Sequence, residues 1–238
     1  MTKRVTDRVA ERVTKRATRR VTKTAGAETE RAVRIIGNPV PPLVPARGPV
    51  HVLLVGEAPG PRGADKSGVP FFGDAAGQHL YAALRAMGAV TLPPEVDDLP
   101  WDGEIFADGG LQPTAHGIAL GNGYDRCPTD DGISFRAPSR AELASDENVA
   151  RIVGDIERFS ERGLRGIVTM GRVATTTIDL VLKRAPHPDL LRRAVVHPSA
   201  RGLLSLLPGR GSGIRMSELQ ERWKGMVDTA VREAGFPA

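Results

Sequence analysis

The stretch His51-Val-Leu-Leu-Val-Gly56-Glu-Ala-Pro-Gly60-Pro-Arg-Gly-Ala-Asp-Lys-Ser-Gly-Val-Pro70-Phe-Phe-Gly-Asp-Ala-Ala-Gly77 decides the fold. A short apolar run, Val52 to Val55, stops at Gly56, as a buried parallel strand does at its carboxyl end. Six glycines and three prolines then fall between Gly56 and Gly77. That density excludes a helix or regular strand and predicts a long, stiff loop. A helical pattern resumes at Ala75, with Leu80, Leu84 and Met87 three or four residues apart. Asp74 stands just before it, where a carboxylate caps free backbone N–H groups. In an open α/β sheet, the loop leaving the first strand usually builds the site. Here it carries Glu57, Asp65 and Asp74 as carboxylates, and Phe71 and Phe72 as flat apolar faces. Such a loop suits a planar ring that water must attack. Taken singly, each residue also has a structural reading: Asp74 as a cap, and one of the two phenylalanines as core.

Further along, three more apolar runs end at turn-forming residues. Ile118-Ala119-Leu120 ends at Gly121-Asn122-Gly123, Ile167 to Met170 at Gly171, and Ala194-Val195-Val196 at His197-Pro198-Ser199. A capping box, Ser139 to Glu142, opens a helix expected to reach about Arg162. A helix follows Gly171 to about Lys183, and an amphipathic one runs from Ser217 to about Glu233. Residues 89–115, rich in Pro, Asp and Gly, are expected to be an irregular insertion tacked down by Trp101 and Phe106. The order β-α-β-α-β-α-β-α predicts a parallel sheet with helices on both faces. Its four strand ends then share one rim, which gathers the Glu57–Asp74 loop, Asn122, Gly171 and His197. Asn122 also reads as a turn residue and His197 as a loop histidine; shared position on the rim favours a site. His187 matches no motif and reads as a surface loop residue; His79, in the first helix, reads as a packing or solvent-facing residue rather than a ligand.

Gly56 through Gly77 resembles the first motif of the uracil-DNA glycosylase superfamily, most closely its fifth, iron–sulfur-related family. His197-Pro198-Ser199 resembles the third motif. The resemblance implies an α/β/α sandwich, three layers around a central four-stranded parallel sheet. It further implies that Asp74 assists water attack, that Phe71 stacks on the base, and that Gly56, Glu57 and Ala58 line the pocket. Asn122 would read the base edge, and His197 would face the leaving base. Ser199, Arg201, Arg210 and Arg215 would contact DNA. Members usually carry four cluster-binding cysteines. This chain has one, Cys127, so no cofactor and no metal are expected.

Charge and composition set the remaining bounds. The chain has 238 residues with a net charge of +5. Residues 1–24 carry nine Lys and Arg against Asp7 and Glu11, so the body is slightly acidic. Residues 1–30 are expected to be a basic tail, disordered or partly helical, built from repeats such as Arg4-Val-Thr-Asp7 and Arg20-Val-Thr-Lys23. Residues 31–238 form the expected glycosylase-like domain. The tail reads as an arm drawn to phosphates, as a solvated segment with no dedicated partner, or as a transit peptide, the last opposed by its two acids. No apolar run approaches the ~18 residues of a membrane span. One cysteine excludes an internal disulfide framework. The expected protein is a cytoplasmic, nucleoid-associated monomer with no membrane partner. It hydrolyses the N-glycosidic bond of uracil, or another deaminated base, in DNA as a monofunctional enzyme of base excision repair. The alternatives are an inactive nucleic-acid-binding module of the same fold, and an enzyme of free nucleosides.

Overall fold

A computed structural model describes residues 38–130, 134–207 and 213–237. The basic tail and Arg210 lie outside the described residues. Strand β1 is Val50–Gly56. A short helix α1, Ala64–Ser67, interrupts the glycine-rich loop, and α2 is Ala75–Ala86. Strands β2 (Val90–Thr91) and β3 (Thr114–Ala115) flank α3 (Gly103–Gly109). Then come β4 (Gly117–Asn122), α4 (Arg140–Ala144), α5 (Asp146–Ser160), β5 (Gly166–Met170) and α6 (Arg172–Arg184). Strand β6 (Leu191–Val195), α7 (Ala200–Leu204) and α8 (Met216–Glu233) complete the order.

Four strands make one parallel sheet in the order β4-β1-β5-β6. This is the three-layer α/β/α arrangement expected from the sequence. Side chains alternate across the central strands. Val52, Leu54, Ile118, Leu120, Val168 and Met170 enter one core with α2 and α8. Leu53, Val55, Ala119 and Ile167 enter the other, with Ile152 and Ile156 of α5 and Ile178 of α6. Burial on both faces is why these strands are continuous apolar runs. In register, Gly56 pairs with Asn122, and Met170 with Val195, so the carboxyl ends align along one rim.

Three expectations need correction. The fourth strand is Leu191–Val195, not 194–196. It is an edge strand bonded only to β5, and its first four residues are exposed, so no apolar run marks it. The helix expected from Ser139 to about Arg162 is two helices. Ser139 caps α4 in a complete capping box, then Ser145 breaks the helical backbone and caps α5 through Asn148 N. Residues 89–115 are not irregular: β2 and β3 pair antiparallel, Pro94–Asp98 is a 3₁₀ turn, and α3 follows. Trp101 and Phe106 do anchor the segment. Phe106 stacks on Phe72 at 4.4 Å, and Trp101 meets Phe72 edge-on at 5.4 Å. Such aromatic pairs contribute about 0.5–1.5 kcal/mol each beyond their buried area.

Candidate active site

Consecutive phenylalanines part at the end of the glycine-rich loop. Phe72 is wholly buried among Tyr81, Trp101 and Phe106. Phe71 has φ 61°, the one positive φ at a non-glycine among the described residues. That backbone is costly for a bulky side chain and marks a position held by its surroundings. Its ring lies against Gly56, where an added Cβ would come within 2.5 Å of it and 3.0 Å from Asn122 Oδ1. Gly56 is thus the one residue type that lets the ring and the amide meet the strand end.

Asp74 is the N-cap of α2: Oδ1 accepts from Gly77 N at 2.7 Å. Its other oxygen, Oδ2, lies over the Gly60–Gly63 turn, and a Cβ on Gly63 would come 2.8 Å from it. The structural and chemical readings of this carboxylate are therefore compatible. The cap fixes one oxygen and so aims the other.

His197 reaches the same place from the end of the edge strand β6. Trp223 of α8 donates from Nε1 to Val196 O at 2.8 Å, pinning the backbone just before it. Ser199 N donates to His197 Nδ1 at 3.1 Å, and Ser199 Oγ caps α7 by accepting from Gly202 N. With Nδ1 occupied as an acceptor, the neutral ring carries its proton on Nε2. Burial lowers the imidazole pKa, and the nearby Asp74 carboxylate partly offsets that.

One cavity of about 370 Å³ brings these groups together; its walls include Glu57, Ala58, Phe71, Asp74, Cys127 and His197. The carboxylate and the imidazole, 123 positions apart in the chain, line the same pocket. Burial pushes the Glu57 carboxyl up. A second, shallower cavity of about 710 Å³ shares Glu57 and His197 and is flanked by Arg172, Ser199 and Arg201. Arg215 lies elsewhere, exposed at the start of α8 and paired with Glu218 at 2.9 Å.

Gly56 and Asn122 are not among the pocket-lining residues; Gly56 lies against both the Phe71 ring and Asn122 Oδ1, next to the pocket wall. Asn122 is 5% exposed, yet neither its Oδ1 nor its Nδ2 has a partner among the described residues. An unsatisfied buried amide costs about 1–3 kcal/mol per group, so it is a strong pointer to a ligand. By contrast, the Asn122 backbone is tightly held. Arg151 Nη2 donates to Asn122 O at 3.0 Å and to Asn148 Oδ1 at 2.9 Å, and Asn148 Nδ2 donates to Gly123 O at 2.8 Å. Burial lowers the pKa of Arg151, and Asp125 and Asp155 oppose the shift.

The far wall was missed in the sequence. Phe135, Arg136, Ala137 and Pro138 line the pocket. Their signal was an aromatic–arginine pair in a proline-bounded loop at the carboxyl end of a strand. Cys127 is buried in the same wall. A four-thiolate cluster does not fit here, because Cys127 is the only cysteine in the chain. No group of three or more His, Cys, Asp or Glu among the described residues is placed to hold a metal. Nor is any described helix long and apolar enough to cross a membrane.

Residues 45–206 match the model of the uracil DNA glycosylase superfamily. Over 47 residues the chain is 47% identical to a Type-5 uracil-DNA glycosylase of Mycobacterium leprae (strain TN), covering 20% of each protein. Over 61 residues it is 43% identical to the proteins of that name from Mycobacterium bovis and Mycobacterium tuberculosis, covering 26% of this chain and 22% of theirs. The matched stretches thus span about a fifth of those relatives. With its glycine-rich loop, aligned strand ends and shared pocket, and with most of its length matched, the chain belongs to the uracil DNA glycosylase superfamily.

Proposed function

We propose that this protein is a monofunctional glycosylase that removes uracil, or another deaminated base, from DNA. The observation that carries the reading is the convergence of Asp74, His197 and Phe71 on one pocket a few ångströms from an unsatisfied Asn122 amide.

The chemistry divides among these groups. A base turned out of the stack lies against the Phe71 ring, and its edge meets the Asn122 amide, which both donates and accepts. The C1′–N bond breaks with its electron pair leaving on the base. His197 Nε2–H donates to the developing anion, held in line by Ser199 N on the other ring nitrogen. Asp74 steadies the positive sugar and orients the water. As water adds to C1′, its proton passes to that carboxylate or to solvent. Glu57 and Ala58 shape the pocket wall, and Gly56 leaves room for the Phe71 ring at the strand end. Ser199, Arg201 and Arg215 contact the phosphate backbone, and Arg210 joins them in the same reading. The partner is DNA containing a deaminated base.

Release of uracil from a single-stranded and a duplex oligonucleotide, read as alkali-cleavable abasic sites, tests the proposal. A panel of other deaminated bases runs beside it. No release of any base by the intact chain would overturn it. Retained, salt-dependent DNA binding in that case would favour the inactive binding module.

Arg151→Met supplies a test of how the pocket is positioned. Methionine fills similar volume but removes the donors to Asn122 O and Asn148 Oδ1. Leaving those acceptors buried and unpaired costs about 1–3 kcal/mol in stability. Turnover is expected to fall about tenfold or more through misplacement of Asn122, with partial recovery on adding guanidinium at low, non-denaturing concentration. Unchanged turnover in a destabilised variant would show the network to be purely structural.

A further inference from the structure

Phe135 stands 39% exposed at the lip of the pocket that holds Phe71, Asp74 and His197. The backbone that carries this ring is braced. Phe135 forms a β-bridge with Thr129, and Arg136 N donates to Pro128 O at 3.2 Å. The Arg136 guanidinium grips Glu142 in two bonds, of 2.7 and 2.9 Å, and Asp130 in two more of 3.2 Å. Glu142 in turn closes the capping box of α4. The ring is therefore carried at the end of a strut.

The same strut says what the lip is not. Arg136 is matched by two carboxylates, so it offers a phosphate no spare positive charge. What remains to offer is a fixed aromatic face beside a base-sized pocket. In a duplex, each base has both faces covered by its neighbours; an unpaired base has a face free for an aromatic ring.

We propose that Phe135 is a stacking platform for an unpaired nucleobase beside the pocket mouth, which makes the protein favour single-stranded or locally opened DNA. This rests on the DNA-glycosylase reading, but its test needs no excision.

The experiment measures binding of an undamaged fluorescent oligonucleotide, single-stranded and as a duplex, to the full chain and to its Phe135→Leu and Phe135→Tyr variants. Leucine keeps the apolar bulk and removes the ring. It is expected to weaken single-strand binding by about tenfold, with duplex affinity and melting temperature unchanged. Tyrosine is expected to hold wild-type affinity for both. Wild-type affinity for single strands in the leucine variant would overturn the proposal. So would an equal loss on both substrates, a fall in melting temperature, or no binding by the wild type. Failure of the wild type to release uracil would defeat the functional reading separately, leaving this comparison to be read alone.

Discussion

Asp74→Asn slows uracil release by about a hundredfold to ten-thousandfold, the usual worth of a positioned acid–base group, while the melting temperature stays near that of the wild type. The contrast follows from the double duty of this side chain. Oδ1 accepts from Gly77 N as the cap of α2, and asparagine caps a helix about as well as aspartate. Asparagine does not supply the negative charge that steadies a positive sugar, nor can it take the proton of the attacking water. Asp74→Ala removes both functions. It should lose activity to the same degree and also about 1 kcal/mol of stability, a fall in melting temperature of about 2–4 °C for a chain of this size. Thermal unfolding and single-turnover kinetics on the two variants separate the cap from the chemistry. An asparagine variant with wild-type turnover would remove Asp74 from the mechanism.

His197→Ala is expected to cost about a hundredfold to a thousandfold in single-turnover rate, the loss that follows from removing one donor to a developing anion. Oligonucleotide affinity is expected to change little. The pH dependence carries the sharper test. Burial holds the folded imidazole below its ordinary pKa of 6.5, with Asp74 working the other way. Between the folded value and 6.5 the unfolded chain binds more protons, so His197 makes stability fall as the pH drops through that window. Once the ring is doubly protonated, Nδ1 can no longer accept from Ser199 N. The rate is therefore expected to fall on an acid limb centred below pH 6.5. That limb should vanish in His197→Ala. An acid limb centred at or above 6.5 would mean that the imidazole acts as a cation and that the Ser199 bond is not kept in the working enzyme.

Both predictions concern residues legible in the chain before any coordinates. The density of glycine and proline after Val55 predicts a loop, because it leaves no room for a long helix or a regular strand, and the four-residue α1 is the one helical turn that the structure adds there. Asp74 had to start a helix, since the apolar spacing changes period there. The rim was legible too, because parallel strands placed by right-handed crossovers bring their carboxyl ends to one side.

What the local pattern could not reach was any feature whose cause lies far away in the chain. The pair Phe71-Phe72 reads as two equivalent rings. Only Trp101 and Phe106, packed on one of them, and Gly56 with Asn122, packed on the other, decide which is core and which is pocket. Strand β6 hid because edge position exempts Arg192 and Arg193 from burial, so period and hydrophobicity lost their meaning there. Nothing in the local pattern sets Arg151 apart from the other charges of its helix. Its burial against the Asn122 and Gly123 carbonyls depends on how α5 meets the end of β4. The Phe135 strut likewise exists only once Glu142 and Asp130 fold in from either side. Sequence determined the elements and their order, because those follow from short-range sterics and periodic burial. Tertiary structure decided which side chains share a pocket, because contacts across a hundred or more residues are set by sheet register and packing, and no local window contains either.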